Sequence, residues 1–391
     1  MFNKKQIEWS KKIITQAISE KIHLADLLRG LNKTYDDLRY ESYQLEDFLK
    51  QPYKSLDDFK IKSTKIPTVS FFSGAGGLDL GFEAAGFGHQ ALYEKIPLFC
   101  ETLIHNRPKW KVFGNDVSAK DDMISSLKNV IGNSKFSDGI FVGGPPCQPF
   151  SIVSNQRFSK AGDNFKRVGF SHETNGNLLF DYIDLIIHFK PRVFLIENVP
   201  GLKEIDDGAQ LKRAYGLLEA AGYTINAPLI LTADKYHVPQ NRKRLFIIGS
   251  KSKNKFTPPT ATIESLSCSS IFDVPLIDCE NHITREHSAE SVMRYMALNY
   301  GSRDQLGRVD RLDPSRPSKT IIAGGTNGGG RSHLHPYFPR TLSVRESARL
   351  QTFPDNFVFT GPVARQFTQV GNAVPPVLAA QLAAAIRSTY F

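Results

Sequence analysis

The residue whose type and setting most invite chemistry is Cys147, in the run Gly143-Gly144-Pro145-Pro146-Cys147-Gln148-Pro149-Phe150-Ser151. The apolar segment Gly139–Val142 before it reads as a short buried strand, which two glycines and two prolines then stop. Cys147 is therefore expected on a stiff turn at a strand's carboxyl end, the edge where open α/β sheets place their ligands. A thiol held there can act as a nucleophile. The common alternative is a free cysteine buried as a small hydrophobe. The polar neighbours Gln148 and Ser151, and a fixed turn that makes a poor core element, favour the nucleophile.

A second chemical feature is the glycine-rich turn Phe72-Ser73-Gly74-Ala75-Gly76-Gly77, which follows an apolar strand and precedes a helical pattern. Glycines let the backbone turn sharply and approach a ligand at a helix N-terminus. Alone, the turn suits any nucleotide-binding fold, dehydrogenases included, or a loop needed only for packing. Glu94, about twenty residues after the turn, stands where a ribose-binding carboxylate belongs in such folds. Asp116, followed by Val117, could offer a further carboxylate from the end of a third strand. The ordered series raises the case above that of any single acidic residue.

These groups need a scaffold, and the pattern supplies one. Strands are read at Thr68–Phe72, Gln90–Tyr93, Gly139–Val142, Val193–Ile196 and Leu245–Ile248, and helices at Leu78–Ala85, Leu98–His105, Leu178–His188 and Gln210–Ala221. The alternation predicts an α/β fold with a mostly parallel, doubly wound sheet. Residues 1–65 read as a polar helical extension, with Ile13, Ile14, Ala17, Ile18, Leu24, Leu27 and Leu28 at helical spacing. The expected division is 1–65, a sheet domain over 66–249, a small irregular domain over 250–339, and a segment 340–391 that returns to the sheet domain, ending in an Ala-rich helix at Val377–Arg387. The extension is expected to pack on the sheet domain, in preference to forming a DNA-binding helix-turn-helix.

Of the 391 residues, 41% are hydrophobic and 23% charged, as in an ordinary globular protein. No apolar run approaches a membrane span and no signal-peptide core opens the chain, so a cytoplasmic protein is expected. The four cysteines, Cys100, Cys147, Cys268 and Cys279, show neither C-x-x-C pairing nor zinc spacing, so no metal site or disulfide framework is indicated. A formal charge of +10 suits a polyanionic partner such as nucleic acid.

Further motifs carry a resemblance. Phe194-Leu195-Ile196-Glu197-Asn198-Val199 sets a carboxylate at a strand end fifty residues after the thiol, and Gln240-Asn241-Arg242-Lys243-Arg244 follows. Arg345-Glu346-Ser347-Ala348-Arg349-Leu350-Gln351-Thr352-Phe353-Pro354 and Gln369-Val370-Gly371-Asn372-Ala373-Val374 come later. With the glycine turn and the Pro-Pro-Cys-Gln loop, this order resembles the DNA cytosine-5 methyltransferases of bacterial restriction–modification systems, over about residues 66–391.

The resemblance implies a Rossmann-like methyltransferase domain, S-adenosyl-L-methionine as cofactor, S-adenosylhomocysteine as product, and no metal. It implies a cofactor pocket formed by Phe72, Gly74, Ala75, Gly77, Glu94, Asp116, Val117, Pro146, Leu178, Asn372 and Val374, with Glu94 on the ribose and Asp116 toward the adenine. Lys95 departs from the pattern, since an aromatic residue often stands there to stack on adenine. Cys147 would add to carbon 6 of a flipped cytosine. Glu197, protonated or sharing a proton, would meet ring nitrogen 3 and the amino group, and burial would raise its pKa. Arg244 would meet the cytosine carbonyl oxygen, and Arg242 would brace the nucleophile loop or a phosphate. No side chain is assigned to take the carbon 5 proton, for which water can serve. Ser151–Asn177 would close over the DNA, and 250–339 would be the target-recognition domain.

Arg303, Arg308, Arg311, Arg316, Lys319 and Arg331 supply positive charge there, of which Arg303, Arg308 and Arg331, with Ser151, are the expected DNA contacts. The expected partner is double-stranded DNA, with a cognate endonuclease acting on the same sequence without direct contact, no membrane, and a monomeric enzyme on the nucleoid. RNA methylation by the same site is the runner-up, and the full-length variable region argues for duplex DNA. A catalytically dead DNA-binding regulator is disfavoured by the intact Cys147, Glu197 and Arg244 set. A dehydrogenase would have no use for the Pro-Pro-Cys and Glu-Asn-Val segments.

Overall fold

A computed structural model of the chain describes residues 4–42, 53–61, 65–133, 135–146, 178–272, 276, 279–323 and 333–391. The chain divides into two units. One comprises Ser55–Tyr236, Lys243–Ala261 and Val374–Phe391, and the other Met1–Lys54, His237–Arg242 and Thr262–Ala373.

The first unit is built on an eight-stranded sheet. Its strands are β1 (Ile66–Phe71), β2 (Phe87–Tyr93), β3 (Val112–Phe113), β4 (Ile140–Gly143), β5 (Val193–Asn198), β6 (Thr224–Ile225) and β7 (Leu229–Thr232); β8 (Gln240–Asn241) belongs to the other unit, and β9 (Lys243–Ser250) completes the sheet. The order is β3-β2-β1-β4-β5-β9-β6, with β7 also paired to β9. From β3 to β5 every pairing is parallel, whereas β9 runs antiparallel to β5, β6 and β7. The central strands read as unbroken apolar runs because helices cover them, and Val69, Phe141, Val142, Phe194 and Leu195 are fully buried. The expected mostly parallel α/β sheet is present. Strands β6 and β7 and the helix Lys120–Ile131 were not read from the pattern, and β3 was expected only as a third strand before Asp116, without bounds. Three of these elements are two to four residues long, too short for a periodic signal.

The last helix, Pro376–Tyr390, belongs to this unit and packs on the helix Gly77–Ala84. Nη1 of Arg387 donates to the Gly86 carbonyl at 3.0 Å, and Nδ2 of Asn226 donates to the Tyr390 hydroxyl at 2.9 Å. The return to the sheet unit thus begins at Val374, later than the expected residue 340.

The N-terminal extension divides between the units. Its segment Leu56–Phe59 packs on the helices Gly77–Ala84 and Pro376–Tyr390 of the sheet unit, as expected. The helices Lys4–Ser19 and Leu24–Gly30 instead share one core with the helix Ala289–Met296 of the second unit, which corrects the expectation for them. The cause is matched amphipathicity: Ile13, Ile14, Ala17 and Leu28 meet Ala289, Val292 and Met296. The Tyr40 hydroxyl donates to the His335 carbonyl at 2.9 Å, and the Arg311 guanidinium stacks on the Tyr40 ring at 3.6 Å. Arg311 also donates to the carbonyls of Pro336, Leu298 and Ser42 and is 1% exposed. It is a structural cation, unavailable to DNA. Short strands β10 (Arg303–Asp304), β11 (Val309–Arg311) and β13 (His333–Leu334) form a three-stranded sheet, and β12 (Ser318–Lys319) pairs with β8.

Arg340 and Glu346, both 1% exposed, form a two-bond pair at 2.8 Å, and Arg340 also meets Asp36. Burial alone would raise the Glu346 carboxyl, but Arg340, His335 and the Ser343 amide hold it far below the ordinary carboxylate range. A depressed acid contributes stability that is complete above its unfolded pKa, about 4.3, and is lost as pH falls below it. Arg340→Met strands a buried carboxylate at an expected cost of about 3–5 kcal/mol. Thermal melts should show a midpoint lower by roughly 6–20 °C, with the deficit greatest near neutral pH and shrinking under acid.

Candidate active site

Parallel strands deliver their carboxyl ends to one edge, and the candidate residues follow those ends. After β1 the chain turns through Phe72, Gly74 and Gly76, all with left-handed backbone (φ 55°, 56° and 77°). Glycine adopts this at no steric cost, but Phe72 does not. A bulky residue held there is local strain of the kind that clusters at ligand sites. Phe72 is half-buried and meets the Tyr182 ring edge-on at 6.1 Å, while Ala75, Gly77, Val117 and Leu178 are buried.

Glu94, one residue past β2, ties this loop down. Its Oε2 accepts from the Gly74 amide and its Oε1 from the Ile96 amide, each at 2.8 Å. Glu94 is 7% exposed, and burial raises its carboxyl above the ordinary value although both amides oppose the shift. A carboxylate has about four acceptor positions, so two amides leave capacity for a diol. That acceptor set fits the hydroxyls of a ribose.

Asp116 lies three residues past β3. Its Oδ2 meets Nζ of Lys95 at 2.5 Å and its Oδ1 accepts from the Ser118 amide at 3.1 Å. Burial would raise its carboxyl, but the Lys95 and Ser118 bonds outweigh this and lower it. Lys95, at the position noted for lacking an aromatic ring, thus serves as counter-ion to Asp116.

Near the ends of β5 and β9, Glu197 and Arg244 come together. Glu197, in β5, pairs with Arg244, in β9: Nε lies 2.8 Å from Oε1, with the side chains 13% and 14% exposed. Antiparallel register sets Glu197 opposite Phe246, and Arg244, two residues earlier, shares that face. Arg244 also donates from Nη1 to the Lys243 carbonyl. The loop after β4 passes so close that a Cβ at Gly144 would stand 2.8 Å from Oε2 of Glu197. Asn198, 3% exposed, donates from Nδ2 to the Pro145 carbonyl at 3.4 Å and accepts from the Val199 amide. Sequence reasoning missed Asn198 as a positioning group, although it stands beside Glu197 in the quoted Glu-Asn-Val segment.

Pro146 is exposed and ends the described part of this loop; Cys147, Ser151 and the loop to Asn177 lie outside the described residues, as does Arg331. Of the two roles expected for Arg242, bracing the nucleophile loop falls on residues outside the described ones, and burial excludes the phosphate. Arg242 is 1% exposed, and its Nη1 and Nη2 donate to the carbonyls of Ile321 and Gly371 at 3.0 and 2.8 Å, with Asn372 at 3.3 Å. Gln240, also missed, accepts from the Ile321 amide at 2.9 Å and donates to Gln351. Asn372 lies in the second unit and Val374 in the first, where Val374 is buried. Arg303 and Arg308 are exposed in the second unit.

The family model for C-5 cytosine-specific DNA methylase matches residues 66–388. Type II methyltransferase M.PspPI of Psychrobacter sp. (strain TA137) is 33% identical over 353 residues, covering 83% of this chain and 79% of that one. Type II methyltransferase M.Eco47II of Escherichia coli is 30% identical over 368 residues, covering 86% and 83%. Among solved structures, an E. coli DNA modification methyltransferase encoded within a prophage has a TM-score of 0.68 at 25% identity, over 83% of this chain and 99% of that one. The Entamoeba histolytica methyltransferase EhMeth, at 18% identity and TM-score 0.61 over 83% and 99%, shares the fold.

Glu94→Gln retains shape but turns an amide nitrogen toward either the Gly74 or the Ile96 N–H. One buried donor then loses its acceptor, at about 1–3 kcal/mol. A lower melting midpoint and at least tenfold weaker S-adenosylmethionine binding by calorimetry are expected; unchanged binding would remove Glu94 from the cofactor pocket.

Proposed function

Because the chain belongs to the C-5 cytosine-specific DNA methylase family, and is a DNA cytosine-5 methyltransferase of the bacterial restriction–modification type, we propose that it methylates a cytosine flipped out of one short duplex sequence through a covalent Cys147 adduct. The observation that carries this reading is the Glu197–Arg244 pair standing against Gly144, at the threshold of the Pro-Pro-Cys turn. S-adenosylmethionine, when bound, supplies the electrophilic methyl group.

Carbon 5 of cytosine is a weak nucleophile, and the Cys147 thiolate strengthens it by forming a bond to carbon 6. Negative charge then grows on the ring. Glu197 meets it at ring nitrogen 3 and the exocyclic amino group, handing over or sharing a proton. Arg244 serves the carbonyl oxygen: a guanidinium has five N–H donors, more than its bonds to Glu197 and Lys243 use. Asn198 holds the Pro145 carbonyl, which limits where the thiol two residues on can reach. After methylation the carbon 5 proton leaves to water, the carbon 6–sulfur bond breaks, and the ring regains its aromaticity. None of these groups can reach a base inside a duplex, so the target rotates out.

Glu94 would hold the ribose hydroxyls, Asp116 would face the adenine, and Phe72, Gly74, Ala75, Gly77, Val117, Pro146, Leu178 and Val374 would line the pocket. Arg242 would act by holding the Ile321 and Gly371 carbonyls, not through a phosphate. The enzyme would act as a monomer in the cytoplasm, protecting host DNA from an endonuclease that shares its sequence without touching it.

Bisulfite sequencing of DNA from a methylation-free host expressing the wild type should show protected cytosines in one short context, and none with Cys147→Ala. Protection that persists in the variant would sink the nucleophile assignment. Glu197→Gln keeps the shape but cannot deliver a proton, and kcat should fall about 10²–10⁴-fold with the KM for DNA changed little.

A further inference from the structure

The glycine turn after β1 rests on groups that the methyl-transfer chemistry does not use. A Cβ at Gly76 would stand 2.7 Å from the Leu103 side chain and 3.5 Å from the Trp110 ring, so both lie directly against the turn. Trp110 is itself anchored. Its Nε1 donates to Oε1 of Glu83 at 3.1 Å, and Oε2 of Glu83 accepts from Nε of Arg107 at 2.8 Å. The Trp110 ring meets the imidazole of His89 with centroids 4.9 Å apart. Nε2 of His89 in turn stands 3.2 Å from Oδ1 of Asp79, and both of these side chains are fully buried.

Two departures from ordinary local structure produce this contact. Residues two apart in a strand share a face, so His89 would join Ala91 in the core with Met123, Leu127 and Tyr182. The pairing of β1 with β2 shifts at this point: Thr68 lies opposite His89 and Val69 opposite Ala91, which leaves Gln90 as an extra, exposed residue. A bulge of this kind re-aims a side chain, and His89 meets the helix Gly77–Ala84 instead. Asp79 is the third residue of that helix, where an acid commonly reaches back to the first free amide. Among the described residues neither of its carboxylate oxygens has a hydrogen bond, and His89 is its ion-pair partner.

A carboxyl and an imidazole taken wholly out of water carry a desolvation cost that apolar side chains of the same size would avoid. Their position indicates what the pair does. Asp79 stands five residues after Gly74, and His89 five residues before Glu94. The pair therefore joins the same two segments of chain that the Gly74–Glu94 hydrogen bond joins. Burial is the main cause that raises the Glu94 carboxyl, and the charge of Asp79 adds to it, so the two contacts sense one another.

We propose that Asp79 and His89 are positioning residues of the cofactor site: the buried pair, with Trp110 packed on it, fixes the glycine turn to β2 at the spacing that Gly74 and Glu94 need to hold the ribose. The inference rests on the S-adenosylmethionine reading above and deepens it. Both side chains act from inside the fold, through Gly74 and Glu94.

The chain has two tryptophans, so Trp9→Phe leaves Trp110 as the sole indole emitter. In full-length Trp9→Phe protein, S-adenosylmethionine should change the Trp110 emission with the dissociation constant that calorimetry gives. Emission that ignores a cofactor seen by calorimetry would overturn the link between turn and pair. His89→Leu keeps bulk but leaves Asp79 without its partner. The dissociation constant and the KM for S-adenosylmethionine should each rise about tenfold. On the duplex mapped by bisulfite reads, kcat at saturating cofactor should move by less than about twofold. Asp79→Asn combined with His89→Gln restores a neutral hydrogen-bonding pair and should recover most of the lost affinity. A melting midpoint that falls in His89→Leu while cofactor affinity stays intact would overturn the role and leave the pair purely structural. So would a double variant that regains wild-type melting but not affinity. If His89→Leu does not fold, Asp79→Asn alone decides, because it keeps the shape: weakened cofactor binding supports the role and wild-type binding overturns it. A wild type that binds no S-adenosylmethionine would defeat the Glu94 reading together with this one, whereas wild-type binding with indifferent variants would defeat this one alone.

Discussion

The pairing of β5 with β9 is the constraint on which the reacting groups depend. Strands β1 to β5 run parallel and deliver their carboxyl ends to one edge. A parallel β9 would bring Gly249 and Ser250 to that edge beside Glu197. Because β9 runs the other way, its first residues arrive there instead, and Asn198 lies opposite Leu245. Arg244 thereby meets the Glu197 carboxylate, whose side chain is only 14% exposed. An isolated buried charge is expensive, so each side chain makes the other tolerable. The pair also presents an acid and a set of N–H donors side by side, which is what a pyrimidine's hydrogen-bonding edge requires.

The turn after β1 and the ends of β2 and β3 follow a related logic with different means. There the strand ends contribute carboxylates that are restrained by backbone amides more than by cations. Glu94 joins the turn after β1 to the chain after β2 through Gly74 and Ile96, so two separate strand ends move as one. Asp116 is tied in turn to Lys95, the neighbour of Glu94. A continuous chain of short contacts therefore runs from the strained Phe72 turn to the third strand end.

Much of this was legible in the amino-acid sequence because the signals are local. The glycine turn, the Pro-Pro-Cys stop and the Glu-Asn-Val strand end each announce a break in a short apolar run. What was not legible depends on distant partners. Nothing near Arg242 says that it will be buried against carbonyls about 80 and 130 residues later. Arg311 counts as a DNA-facing charge until Tyr40 is seen beneath it. The helical stripe at Ile13, Ile14 and Ala17 implies some apolar partner, but only the fold identifies it as the helix Ala289–Met296.

That N-terminal partnership has a consequence for how the protein is made. Tyr35 and His287 exchange hydrogen bonds across 252 residues of chain, and Tyr40 reaches across 295 to His335. At elongation rates of about 5–20 residues per second, the first helices wait roughly 13–50 seconds for the surface that covers them. During that time their apolar stripe is exposed on the nascent chain, a natural target for holding chaperones. The second unit thus closes late in translation. Transplanting the segment Thr262–Ala373 into another scaffold would, for the same reason, have to carry the first forty residues along with it.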